Sequence, residues 1–151
     1  MPPRFDLYKP WPAGYQAMLA FHQAVHDGGL DPVLVELVKT RVSQINECAY
    51  CIDMHTKDAR AAGETEQRLY ALSAWRETPF FSDRERAALA LAESITLLHE
   101  THVPDEVMEE ARRHFDDEDL AKLIFHIVVI NAWNRIAVTS RYDVGDYQPR
   151  A

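Results

Sequence analysis

The stretch that opens at Asp116 or Asp117 constrains the fold of this chain more than any other. Leu120, Leu123, Ile124, Phe125, Ile127, Val128, Val129, Ile130, Ala132 and Trp133 make a helix that is apolar nearly all round. A helix of that kind sits at the centre of its fold or at a subunit interface. The rest of the chain must supply helices that cover it, and the periodicity agrees. Tyr15, Met18, Leu19, Phe21, Ala24 and Val25 fall at helical steps from Ala13 to about Asp27, with Gly28-Gly29 as terminator. Asp31 reads as an N-cap with Pro32 at the first helical position, ahead of Leu34, Leu37, Val38, Arg41, Val42 and Ile45.

Asn46-Glu47 breaks that stripe and is expected to cap a third helix running from about Cys48 to Ala62, with Gly63 as its stop. Thr65 to Trp75 forms a short helix with Leu69 and Leu72 inward, and Arg76 to Phe81 a loop. Ser82-Asp83-Arg84-Glu85 fits a capping box. The helix it opens presents Ala87, Ala88, Leu91, Ala92, Ile95 and Leu98 as one apolar face, and Pro104-Asp105-Glu106 begins another. No alternating strand pattern or linker interrupts the series. The expectation is an all-α, single-domain bundle of about six to eight helices spanning 1–151, with its core at about 31–140. Pro2, Pro3, Pro10 and Pro12 interleave with Phe5, Tyr8 and Trp11, giving an extended arm across the chain's own core or across a neighbouring subunit. The tail from Asp143 to Ala151 is expected to be loose or packed on a partner.

Charge and composition exclude several functions. The net charge is -8, from 16 basic and 24 acidic residues, with no Lys/Arg block, which argues against nucleic acid and anionic membrane surfaces as partners. Met1 to Asp6 lacks the charged and apolar regions of a secretory signal, and no window reads as a membrane span. The expected location is the cytoplasm, where thiols stay reduced and a lone Cys-x-x-Cys is catalytic or metal-binding rather than a structural staple.

The chain's 2 cysteines are Cys48 and Cys51, and His55 follows four residues after the second. Helical spacing sets these three on one face, a thiol pair within disulfide reach and an imidazole one turn on. In the first turn of a helix, unpaired N–H groups and the positive dipole end favour a thiolate. His55 stacks closest to Cys51, so position suggests Cys51 as the sulfur that attacks a peroxide and Cys48 as the resolving thiol. Glu36 lies twelve residues before Cys48, on the preceding helix. If the two helices fold as a hairpin, its carboxylate orients and charges the imidazole.

Glu36-x11-Cys48-x2-Cys51-x3-His55 resembles the alkylhydroperoxidase D group within the carboxymuconolactone decarboxylase-like family, and Asn131-Ala132-Trp133-Asn134-Arg135 resembles the last core helix there. The resemblance covers most of 31–140. It implies an all-helical fold, homo-oligomers (commonly trimers or hexamers), and cysteine-based reduction of hydroperoxides without a bound cofactor. It implies that Cys51 forms the sulfenic acid, that Cys48 resolves it and faces an external dithiol of lipoyl or thioredoxin type, and that Glu36 and His55 relay protons. Some members carry a further relay histidine just before the second cysteine, where this chain has Tyr50. A phenol with a pKa of about 10 carries protons poorly near neutrality, so the relay here is expected to be shorter.

Other readings stay open on the residues alone. These are a general disulfide oxidoreductase, a lactone decarboxylase of the same fold with no use for the cysteine pair, and a zinc-held helical assembly. The last would use Cys48, Cys51 and His55 with Glu36 or another histidine as the fourth ligand. Among the other histidines, His126 stands out because it lies within the apolar final helix. Asn131, Asn134 and Arg135 read as scaffold, with a buried Arg135 expected to need a carboxylate partner.

Overall fold

The structure, a computed structural model, describes residues 2–149, so Met1 and the last two residues of the expected tail lie outside the described residues. Its elements are α1 (Pro12–His26), α2 (Pro32–Ile45), α3 (Ala49–Ala61), α4 (Glu66–Ala71), a 3-10 helix (Leu72–Glu77), α5 (Asp83–Thr96), α6 (Leu98–Thr101), α7 (Asp105–His114) and α8 (Asp117–Ser140). All are helical, and no strand occurs among the described residues. The fold class matches the expectation.

α8 is the axis of the bundle. It packs against α1, α2, α3, α5 and α7, and its fully buried residues include Leu123, Ile127, Val129, Ile130 and Asn134. Its 24 residues are long and apolar enough by composition to cross a membrane, contrary to the expectation from the sequence. In the fold that apolar surface serves as core on one side, while Phe125, Val128 and Val138 remain exposed on the other. Asp116 caps it, its carboxylate accepting from the Asp119 N–H at 2.8 Å. Ser82 and Glu85 form the reciprocal capping box of α5. Leu98 departs from the expected α5 face: α5 ends at Thr96, and Leu98 opens the separate turn α6, where it is 55% exposed.

α1 is an outer helix lying against α8 with none of its residues fully buried. The N-terminal arm touches the chain's own core through the Arg4 N–H, which donates to the Ser140 carbonyl at 2.9 Å. Phe5, Tyr8 and Trp11 nevertheless stay exposed in the single chain. The tail is not loose. The Lys57 ammonium donates to the carbonyls of Gly145 and Tyr147 at 3.0 Å each, and the Tyr147 hydroxyl donates to Asp58 at 2.7 Å. Residues 143–149 therefore lie along α3 of their own chain.

Candidate active site

The α2–α3 hairpin builds the site. Asn46 is the C-cap of α2, and Glu47 takes a left-handed φ of 53°. The Cys48 N–H then reaches back to the Ser43 carbonyl at 3.0 Å. A left-handed residue followed by a backward bond is how helices commonly end, and it turns the chain sharply enough for α3 to run back along α2. The cap of α3 differs from the expectation. Cys48 itself is the N-cap, extended at φ −84° and ψ 95°, and its Sγ accepts from the Cys51 N–H at 3.4 Å. Only Cys51 and His55 lie inside the helix, and Cys48 reaches them from its edge.

The two cysteines are joined as a disulfide with Cα atoms 5.3 Å apart, inside the span such bonds need. Both are 1% exposed. Cys48, expected to face a reductant, is thus covered by its own chain in the oxidised form. The bonded sulfurs are not zinc-binding thiolates. Among the described residues, the groups that come nearest to a metal site are Glu36, His55 and Asp58, whose ligand atoms lie within 4.8 Å of one another. His55 Nδ1 and Asp58 are already engaged by Glu36 and Tyr147.

The hairpin brings Glu36 to His55 as its geometry requires. His55 Nδ1 lies 2.8 Å from Glu36 Oε2, and the other carboxylate oxygen accepts from the Lys39 ammonium at 3.1 Å. The three side chains are 13%, 5% and 6% exposed for Glu36, His55 and Lys39, so this is a buried cluster rather than a surface pair. Burial pushes the Glu36 carboxyl up, but the hydrogen bond and charge of His55, reinforced by Lys39, outweigh it and hold the group down at about 2. Glu36 is therefore ionised throughout the neutral range. With Nδ1 taken, Nε2 is the ring nitrogen of His55 left for chemistry.

A cavity of about 300 Å³ adjoins Cys51 and His55. Lys39 and His22 line it, together with the rings of Tyr15, Tyr50, Trp133 and Tyr142; Cys48 does not reach it. Tyr15, Tyr50 and Tyr142 also border a larger open groove beneath the N-terminal arm, so phenols form the partition between the two spaces. Burial raises the Tyr50 phenol above its ordinary value, so it stays protonated and uncharged near neutrality.

Polar residues of α8 hold the hairpin in place. The Asn46 amide donates to Asn131 at 3.0 Å and to Asn134 at 2.8 Å, Asn134 donates to the Ser43 hydroxyl at 3.1 Å, and Asn131 donates to Thr96 of α5 at 3.1 Å. This network anchors the turn that precedes Cys48. Arg135 is exposed and bonds Asn131, so the carboxylate partner that a buried arginine would need is not called for. Sequence reasoning passed over Lys39, although its three-residue step from Glu36 sets both on one face.

His126 is 3% exposed and its Nδ1 has no hydrogen-bond partner among the described residues. Burial first, and the charge of Lys39 second, lower it to about 4. A histidine held neutral in the folded state favours folding above its unfolded pKa of about 6.5, and that preference is lost as pH falls toward 4. Glu36 acts next, between about 4.5 and 2, and with the same sign. Each shift is worth on the order of 3 kcal/mol. Urea denaturation between pH 7.5 and 4.5 should show stability falling with acid, and His126→Leu should flatten that slope. An unchanged slope in the variant would contradict the assignment.

Comparison with known proteins agrees with this architecture. The model of the Carboxymuconolactone decarboxylase family matches residues 12–94. The uncharacterized protein YdfG of Bacillus subtilis (strain 168) is 46% identical over 138 residues, which is 91% of this chain and 94% of that protein. The crystal structure of a protein of unknown function from Agrobacterium tumefaciens, named as a candidate AhpD antioxidant defence protein, has a TM-score of 0.92 at 38% identity and covers 97% of this chain and 100% of its own. The alkylhydroperoxidase AhpD core of an uncharacterized peroxidase-related protein from Ralstonia eutropha JMP134 has a TM-score of 0.79 at 25% identity, over 92% of this chain and 74% of that one. The family match across more than half of the sequence, the near-full-length relative and the shared helical architecture together make this chain an AhpD-like member of the carboxymuconolactone decarboxylase family.

Proposed function

We propose that the protein is a thiol-dependent hydroperoxide reductase with an antioxidant role. The observation that carries this reading is the cavity that brings Cys51 of a Cys48–Cys51 disulfide beside His55, itself bonded to a buried, ionised Glu36. In the reduced protein the Cys51 thiolate attacks the outer oxygen of a hydroperoxide. An S–O bond forms, the O–O bond breaks, and the departing alkoxide takes a proton from His55 to leave as the alcohol. The Cys48 thiol then displaces water from the sulfenic acid and closes the disulfide seen here. An external dithiol, of lipoyl or thioredoxin type, returns both thiols by exchange and leaves as its own disulfide. Because both cysteines are 1% exposed, that exchange requires the first turn of α3 to open.

Only Cys51 reaches the cavity, which supports its assignment as the attacking sulfur. Consumption of an organic hydroperoxide with a small dithiol as donor tests the reading, and catalytic turnover dependent on both components is the expected result. Dithiol oxidation that proceeds without peroxide would favour a disulfide oxidoreductase instead. Decarboxylation of a lactone that survives alkylation of both cysteines would favour the non-redox branch of the family.

A further inference from the structure

We propose that Lys39 is the electrostatic partner of Cys51: a buried cation that holds the sulfur as thiolate and stabilises the charge developing on the departing oxygen. This rests on the reading of Cys51 as the attacking sulfur. Lys39 is 5% exposed and lines the same cavity as Cys51 and His55. A lysine is almost never buried so deeply unless it is paired, because removing an ammonium from water is costly. Its one protein acceptor is Glu36, at 3.1 Å, and among the described residues the other N–H donors have no partner. An ammonium has three donors, so two remain for what enters the cavity.

The charges of the cluster make the role specific. Glu36 is shared, one oxygen to Lys39 and the other to His55. A Glu36–His55 pair alone, even with its imidazole protonated, would bring no net positive charge to the cavity. With Lys39 added, the cluster carries one positive charge whenever His55 is protonated, and a thiolate at Cys51 balances it. Other groups nearby do not replace this charge. His22 of α1 and His126 of α8 are both lowered, first by burial, and so are neutral; Tyr15 and Tyr50 are phenols. Glu93 of α5 is taken by Arg41, Trp75 and Arg76 and does not compete for the ammonium. During attack, negative charge leaves sulfur and appears on the alkoxide oxygen. A fixed cation in a low-dielectric space stabilises the charge at both ends of that transfer.

The test is the thiolate pKa of Cys51 in the reduced protein, read from the pH dependence of alkylation by iodoacetamide in a Cys48→Ser background. It is paired with the single-turnover rate of sulfenic acid formation from cumene hydroperoxide. Lys39→Met should raise the thiolate pKa by about one unit or more and slow sulfenic acid formation about tenfold or more at a pH where the thiol is fully ionised. Lys39→Arg should restore the pKa. If Lys39→Met fails to fold, Lys39→Gln keeps a hydrogen bond to Glu36 while removing the charge, and the same shifts are expected. A folded charge-neutral variant with unchanged thiolate pKa and rate overturns the inference. Alkylation needs no peroxide chemistry, so a shifted pKa in a protein that ignores peroxides would sink the peroxidase reading and leave the Lys39–Cys51 coupling standing.

Discussion

Replacing Cys51 by serine is expected to abolish hydroperoxide turnover, by about 10³-fold or more, because a hydroxyl cannot supply the nucleophile that a thiolate does. Cys48→Ser should behave differently. Its Cys51 remains beside His55 and the cavity, so one equivalent of peroxide is reduced at close to the normal rate. Turnover then stops, because no resolving thiol closes the disulfide, and the sulfenic acid persists or oxidises further. Stopped-flow kinetics with a sulfenic-acid trap separates the two variants. A burst in Cys51→Ser and none in Cys48→Ser would reverse the roles of the sulfurs, and a burst in neither would remove peroxide from the chemistry.

Glu36→Gln is the second substitution with a large expected effect, and it acts on both stability and activity. The amide keeps an acceptor for one neighbour but loses the charge that compensates Lys39, which is 6% exposed at the side chain. Breaking a buried pair from one side costs about 3 kcal/mol or more, because the remaining charge stays out of water. The imidazole also loses the carboxylate at 2.8 Å that fixes its tautomer. A loss of about 10²-fold in kcat/KM is expected, with the acidic limb of the pH profile displaced. Glu110→Gln is a matched control, since Glu110 lies 3.1 Å from a histidine of its own, His114, but in a contact far more open to solvent, and no measurable loss is expected there. Urea denaturation and pH-rate profiles of the two variants decide it. Equal behaviour would mean that the Glu36–His55 contact is ordinary packing.

Much of this site was legible in the sequence because it depends on short-range periodicity. Cys51 and His55 are one helical turn apart, and a hairpin of two consecutive helices is the shortest way to bring Glu36 to them. The capping box of α5 and the apolar final helix could be read for the same reason. Lys39 was passed over because a lysine in a charged helix ordinarily points to water, and only the placement of α8 and α1 shows that it does not. The N-cap role of Cys48 was missed because serine, threonine, asparagine or aspartate are the usual caps, and Asn46 stood two residues away. The contacts of Asn46 with Asn131 and Asn134 join residues 85 and 88 positions apart, beyond any local pattern. The tail is held partly through backbone carbonyls accepting from Lys57, which carry no side-chain signature, and partly through Tyr147 on Asp58, 89 positions away.

The most direct measurement is a titration of free thiols in the fully reduced protein before and after one equivalent of organic hydroperoxide, with the product mapped by mass spectrometry. Loss of both thiols per chain, with Cys48 and Cys51 joined in one peptide and one alcohol formed per peroxide, is the expected result. Two thiols still free beside unconsumed peroxide would contradict the account.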